Sequence, residues 1–126
     1  MHETYVIAVV DDDEAIRASL SSLLRACGYE VLSYAGPAQY LESEGPAQTH
    51  CLISDIQMPG MSGLQMHAQL RASGWCRPVI FVSAHQRDLP CAKSHAAGVI
   101  ACLHKPFAAD ELLDCVAVAM REAGIS

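Results

Sequence analysis

Short strand-like runs recur along this chain with helical-period segments between them, and that alternation restricts its fold more than any other feature. The runs are Tyr5–Val10, Glu30–Tyr34, Cys51–Ser54, Val79–Ser83 and Ile100–Leu103. Runs this short and this apolar, each followed by a helix-length segment, predict parallel strands buried on both faces by crossover helices. Five such β-α units fit into 126 residues, a length that suits one domain with a hydrophobic core of its own.

The helix after the first strand is the most clearly marked. Asp13 stands where an N-cap is needed, and Ile16, Leu20, Leu23, Leu24 and Cys27 form an apolar stripe at helical spacing. Gly28 then supplies the residue that most readily adopts the left-handed turn closing a helix. Further helices are predicted over Ala38–Ser43, Leu64–Ser73, Asp88–Ala97 and Ala108–Glu122, with a polar loop from Glu44 to Thr49. The last helix carries Leu112, Leu113, Val116 and Met120 inward, with Asp110 and Glu111 at its start and Arg121 at its end.

Composition narrows the function classes. With 52% hydrophobic and 17% charged residues the chain can bury enough apolar surface to offset its ordering entropy. A net charge of −6 provides no basic stripe for a phosphate backbone, so direct nucleic-acid binding by this domain is not expected. No apolar run approaches the roughly 20 residues of a membrane span and no leader-like start is present, so a cytoplasmic protein without membrane contact is expected. The six cysteines lack CxxC spacing, and most stand at positions that read as apolar and internal.

Polar residues interrupt the pattern at the ends of the strands. Asp11-Asp12-Asp13 follows the first, Asp55 the third, Ser83 the fourth and Lys105-Pro106 the fifth. In an open parallel sheet these ends lie on one edge, where ligands bind. Carboxylates gathered there repel one another unless a cation, a proton or the Lys105 ammonium neutralises them. A hard divalent cation, a lysine and a hydroxyl beside a carboxylate on a central strand suit phosphoryl chemistry, with Asp55 as nucleophile.

Taken together, Val10-Asp11-Asp12-Asp13-Glu14, Asp55-Ile56-Gln57-Met58-Pro59-Gly60-Met61-Ser62-Gly63, Ser83-Ala84 and Lys105-Pro106-Phe107 resemble the receiver domain of two-component response regulators over essentially the whole chain. The likeness is nearest to FixJ-type regulators, which typically carry a LuxR-like helix-turn-helix. The resemblance implies a flavodoxin-like (βα)5 fold, a doubly wound five-stranded parallel sheet of order 2-1-3-4-5. One receiver domain is expected over 1–126, with no output domain after Glu122.

The same resemblance implies residue roles. Asp55 would be the phosphoacceptor, receiving its phosphoryl group from a sensor histidine kinase or histidine phosphotransferase. Asp11, Asp12, Asp55 and the Gln57 backbone carbonyl would hold Mg²⁺ (or Mn²⁺). Ser83 would bind the phosphoryl group, Lys105 would pair with it, and a cis peptide before Pro106 would aim Lys105 at Asp55. Gln57 and His85 would tune phosphoryl lifetime. Cys102 replaces the aromatic residue common at the switch position, so the surface change is expected to come from the helix over Asp88–Ala97. A phosphorylation-dependent homodimer and a role in transcription regulation are further implications.

Plainer readings stand beside these. Asp13 or Glu14 serves as a helix cap and no more; Ser83 bonds to nearby backbone; Met58, Met61 and Met66 fill gaps between helix and sheet. A separate reading joins Cys91 and His95 on one helix with Cys102 and His104 on one strand in a zinc site on a neighbouring surface. His104 should point away from the acidic edge, and Trp75 should pack near a loop. Two other functions compete: a pseudo-receiver used only for interaction, and an aspartate-nucleophile phosphohydrolase built on Asp11 and Asp13.

Overall fold

The computed structural model describes residues 5–85 and 98–122. Along these, β1 (Val6–Val10), α1 (Glu14–Ala26), β2 (Glu30–Tyr34), α2 (Pro37–Leu41), α3 (Gly45–Gln48), β3 (Cys51–Asp55), α4 (Gly63–Ala72), β4 (Val79–Ser83), β5 (Val99–His104) and α5 (Ala109–Glu122) follow one another. The five strands form one parallel sheet of order β2-β1-β3-β4-β5. The helix expected over Asp88–Ala97, with Cys91 and His95 on it, lies outside the described residues.

Alternation along each strand divides the core between the two faces of the sheet. Ile7, Val9, Cys51, Ile53, Ile80 and Val82 pack with Leu20 and Leu24 of α1 and with Leu112, Val116, Ala119 and Met120 of α5. Ala8, Val10, Leu52, Val79 and Phe81 face the other way, against Tyr40 of α2 and Met66 and Leu70 of α4. Each fully buried side chain of this size contributes roughly 1.5–3 kcal/mol relative to exposure, which holds the sheet between its helix layers. A register shift between Val79 and Ile80 lets β5 spend one extra residue. Ile100 thereby joins the α1/α5 face while Val99 and Cys102 stay on the other.

Local chemistry sets the helix bounds. Asp13 caps α1, its Oδ1 accepting from Ala15 N at 2.9 Å and Ile16 N at 3.2 Å, a contribution of about 1 kcal/mol. Gly28, at φ +92°, closes α1 in the left-handed region. The predicted stripe needs one correction, because Cys27 is the C-cap and is exposed. Cys76 is exposed as well, Cys102 and Cys115 are half-buried, and Cys51 is fully buried among the described residues. The cysteines are therefore less internal than the sequence implied.

Residues 44–49 also differ from expectation. Part of the predicted polar loop is the helical turn α3, held where Thr49 Oγ1 donates to Gly45 O at 2.6 Å and meets the Tyr40 hydroxyl at 2.8 Å. The Trp75 indole N–H donates to the Pro46 carbonyl at 3.0 Å, so the lone tryptophan does pack against this loop. Its ring and that of Phe81 meet the buried His67 edge-on, with centroids at 6.0 and 5.7 Å. No described helix is long and apolar enough to cross a membrane.

Candidate functional site

The register aligns the strand ends. Val10 pairs with Tyr34 and Ser54, Asp55 with Val82, and Ser83 with His104, so Asp11, Asp55, Ser83 and Lys105 leave the sheet along one edge. Lys105 Nζ bridges two carboxylates there, 2.9 Å from Asp11 Oδ2 and 3.2 Å from Asp55 Oδ2. The peptide between Lys105 and Pro106 is cis. Asp11 is 1% exposed and Asp55 6%, whereas Asp12 is open to solvent.

Burial raises the Asp55 carboxyl above its ordinary value, and the Asp11 charge raises it further. The Lys105 charge, the Lys105 hydrogen bond and the Gln57 N–H oppose that rise without cancelling it. For Lys105, burial works against the charged form, but the hydrogen bond to Asp11 and the two carboxylate charges outweigh it and raise its value. Lys105 is therefore favoured in its charged form, while ionisation of Asp55 is made costly by burial and by the Asp11 charge. Such a group gains from any cation that approaches it.

Asp11, Asp12 and Asp55 each place one oxygen within 4.8 Å of the others. Opposite corners of a Mg²⁺ octahedron lie about 4.2 Å apart, so little movement of the exposed Asp12 would close the set. Hard oxygen donors, one of them facing water, fit a cation that keeps part of its hydration shell. Among the described residues this trio is the only group of three or more His/Cys/Asp/Glu side chains so placed; the zinc reading draws on Cys91 and His95, which lie outside those residues. His104 is exposed, with Nε2 3.2 Å from the Ala84 carbonyl.

Ser83 is fully buried, and its Oγ accepts from His85 N at 2.9 Å and donates to His85 O at 3.2 Å. The hydroxyl is thus engaged with its own loop, as the plainer reading expects of a strand-end serine. Lys105 N donates to Ser83 O at 2.7 Å, tying the ends of β4 and β5 together. His85 and Gln57 are exposed at the rim, and Gln57 N donates to Asp55 Oδ1 at 3.3 Å. Cys102 is half-buried, paired in register with Phe81 and packed on the α2/α4 side. Met66 is buried there too, with Met58 and Met61 against it, so the methionines fill space between helix and sheet.

Asp13 takes no part in the trio because its carboxylate caps α1. The loop after Asp55 ends at a second cap that the sequence reading passed over: Ser62 Oγ accepts from Gln65 N at 3.1 Å and Gln65 Oε1 from Ser62 N at 2.8 Å. The S-x-x-Q spacing of Ser62 and Gln65 was a visible signal for this reciprocal cap. Between the cap and Asp55, Gly63 donates its N–H to Ile56 O at 2.9 Å. A Cβ on Gly63 would lie 2.2 Å from the Asp55 carbonyl oxygen and 2.9 Å from Ser54 Oγ. We expect Gly63→Ala to destabilise the protein by about 3 kcal/mol, read by denaturant titration; an unchanged midpoint would show that the loop yields freely.

A topology and an acidic edge of this kind invite comparison with known proteins. The family model described as response regulator receiver domain matches residues 7–117. Response regulator protein TmoT of Ectopseudomonas mendocina is 40% identical over 119 residues, which is 94% of this chain and 54% of TmoT. Transcriptional regulatory protein FixJ of Azorhizobium caulinodans is 36% identical over 108 residues, 85% of this chain and 51% of FixJ. The chain thus spans about half the length of the curated relatives it matches. Among solved structures, response regulator StyR superimposes with a TM-score of 0.86 at 36% identity, covering 97% of this chain and 62% of StyR. TrrA of Thermotoga maritima, solved in complex with Mg²⁺ and BeF, gives 0.80 at 27% identity over 92% of this chain and 99% of TrrA. Sequence, topology and the acidic edge agree, and the chain belongs to the response regulator receiver domain family.

Proposed function

We propose that Asp55 is the phosphoacceptor and that the donor is the phosphohistidine of a sensor histidine kinase or histidine phosphotransferase. The observation that carries this assignment is Lys105 spanning Asp11 and Asp55 beside a third carboxylate at the strand ends. In the transfer an Asp55 carboxylate oxygen bonds to phosphorus, the P–N bond of phosphohistidine breaks, and the imidazole leaves with the bonding pair. A Mg²⁺ (or Mn²⁺) ion held by Asp11, Asp12, Asp55 and the Gln57 backbone carbonyl would supply charge neutralisation for the phosphoryl oxygens. Lys105, already beside Asp55, pairs with the same oxygens, and Ser83 turns from its own loop to donate to them. Gln57 and His85, exposed at the rim, govern access of the water that later hydrolyses the acyl phosphate.

The domain assists its own phosphorylation and dephosphorylation without turning over a free substrate. The phosphohydrolase reading is disfavoured because Asp13, which it needs in the site, is the cap of α1. We place this receiver in the cytoplasm as one unit over 1–126, with control of transcription and a phosphorylation-dependent homodimer as its output. The switch segment would be the helix expected over Asp88–Ala97.

Intact-mass analysis after incubation with acetyl phosphate and Mg²⁺ tests the assignment. One phosphoryl adduct, mapped to Asp55 and lost when Mg²⁺ is chelated, is expected. Absence of the adduct while Mg²⁺ binds would favour the pseudo-receiver.

A further inference from the structure

Arg17 lies in the first turns of α1, next to the acidic edge, and its Nη1 donates to the Asp11 backbone carbonyl at 2.7 Å. This is a short hydrogen bond from a charged donor, stronger than one between neutral groups. The carbonyl belongs to the peptide joining Asp11 to Asp12. Asp11 is otherwise tied at every polar atom: its N–H donates to Tyr34 O at 3.2 Å, Oδ1 accepts from Asp13 N at 2.8 Å, and Oδ2 accepts from Lys105 at 2.9 Å. Asp12 is exposed, so its direction depends on the backbone that precedes it. Arg17 is half-buried, and its own N–H bonds to Asp13 O at 3.0 Å, so the geometry of α1 carries the guanidinium to that peptide.

We propose that Arg17 is a positioning residue for the divalent cation: by clamping the Asp11–Asp12 peptide it keeps the Asp12 carboxylate converging with those of Asp11 and Asp55. This rests on the reading of the trio as a cation site given above. Two effects of opposite sign distinguish a clamp from a mere charge. A positive charge beside the trio repels an incoming dication, so its loss would tighten binding. A lost clamp leaves Asp12 free to turn toward water, which weakens binding. Solvent and salt screen the repulsion at this open edge, whereas groups that orient metal ligands commonly matter by about tenfold or more. The clamp should therefore dominate.

Calorimetric titration of Mg²⁺ alone into the unaltered chain, Arg17→Met and Arg17→Lys is the test. Methionine keeps the stem and loses both charge and donors; lysine keeps the charge and one donor. Arg17→Met should bind Mg²⁺ about tenfold more weakly, with Arg17→Lys recovering part of the loss. Raising Mg²⁺ should restore the rate of adduct formation from acetyl phosphate toward that of the unaltered chain, a rescue that general damage to the fold would not show. Melting curves accompany each titration, and Arg17→Gln replaces Arg17→Met if the latter does not fold. Equal or tighter Mg²⁺ binding by the variant lacking the clamp would overturn the proposal. If the unaltered chain binds Mg²⁺ yet takes no phosphoryl group, the phosphoacceptor reading fails while the Mg²⁺ midpoints still decide the role of Arg17. If it binds no Mg²⁺, both fall.

Discussion

Asp55→Asn is expected to abolish the phosphoryl adduct while leaving the fold intact and the metal-free protein more heat-stable at neutral pH. The amide keeps the shape of the carboxylate but lacks the anionic oxygen that attacks phosphorus. The gain in stability follows from the raised Asp55 carboxyl, for which burial is the leading cause. Above its ordinary value of 3.8 and below its folded value, the native protein binds more protons than the unfolded chain, so stability falls as pH rises through that window. At higher pH the whole cost of the buried charge is present, and asparagine removes it. Melting curves across acid to neutral pH check this: the variant should gain most at neutral pH and least in acid. For the same reason Mg²⁺ binding, which needs the ionised form, should weaken as pH falls through the window. A variant that still acquires the phosphoryl group would refute the site assignment.

Lys105→Met is expected to have an equally large effect in two directions. Its side chain is 14% exposed, and the ammonium touches both buried carboxylates. Removing one partner of such a set leaves charge uncompensated, a loss of about 3 kcal/mol in the metal-free protein. Part of that loss should return when Mg²⁺ is added, because the ion replaces the missing positive charge and binds without competition from the ammonium. Mg²⁺ affinity should thus rise while adduct formation slows by about 10²-fold, the usual scale for losing one group that stabilises transition-state charge. Calorimetry with Mg²⁺ and timed intact-mass analysis read the two effects separately. If both fall together, Lys105 organises the site and does not serve the phosphoryl group.

How far the site was legible depended on the range of the interactions involved. Asp13 as the cap of α1 and Gly28 as its end were readable because cap and helix are neighbours in sequence. The strand ends were readable because a buried parallel strand must be apolar, so a carboxylate, hydroxyl or ammonium at its end stands out. The turn α3 was not readable, since it depends on Thr49 meeting Tyr40 and Gly45. The exposure of Cys27 and Cys76 escaped notice because hydrophobicity alone does not say whether a residue continues a helix face or closes it. Arg17 carried no signal in the sequence, because its partner is a backbone carbonyl and backbone is the same at every position.

By itself, the sequence determined the five strands, the family, and the identity of Asp11, Asp12, Asp55, Ser83 and Lys105 as the polar groups at strand ends. Hydrophobic period and turn chemistry are local, and they leave their mark wherever they act. Only the tertiary structure decided that Lys105 spans Asp11 and Asp55, that the Ser83 hydroxyl faces its own loop, that Gly63 must remain without a side chain, and that Arg17 holds the peptide leading to Asp12. The Lys105 contacts join residues 94 and 50 apart in sequence and are set by strand register; the others are near in sequence, but they depend on the path the backbone takes beyond the strand ends, which no residue pattern encodes.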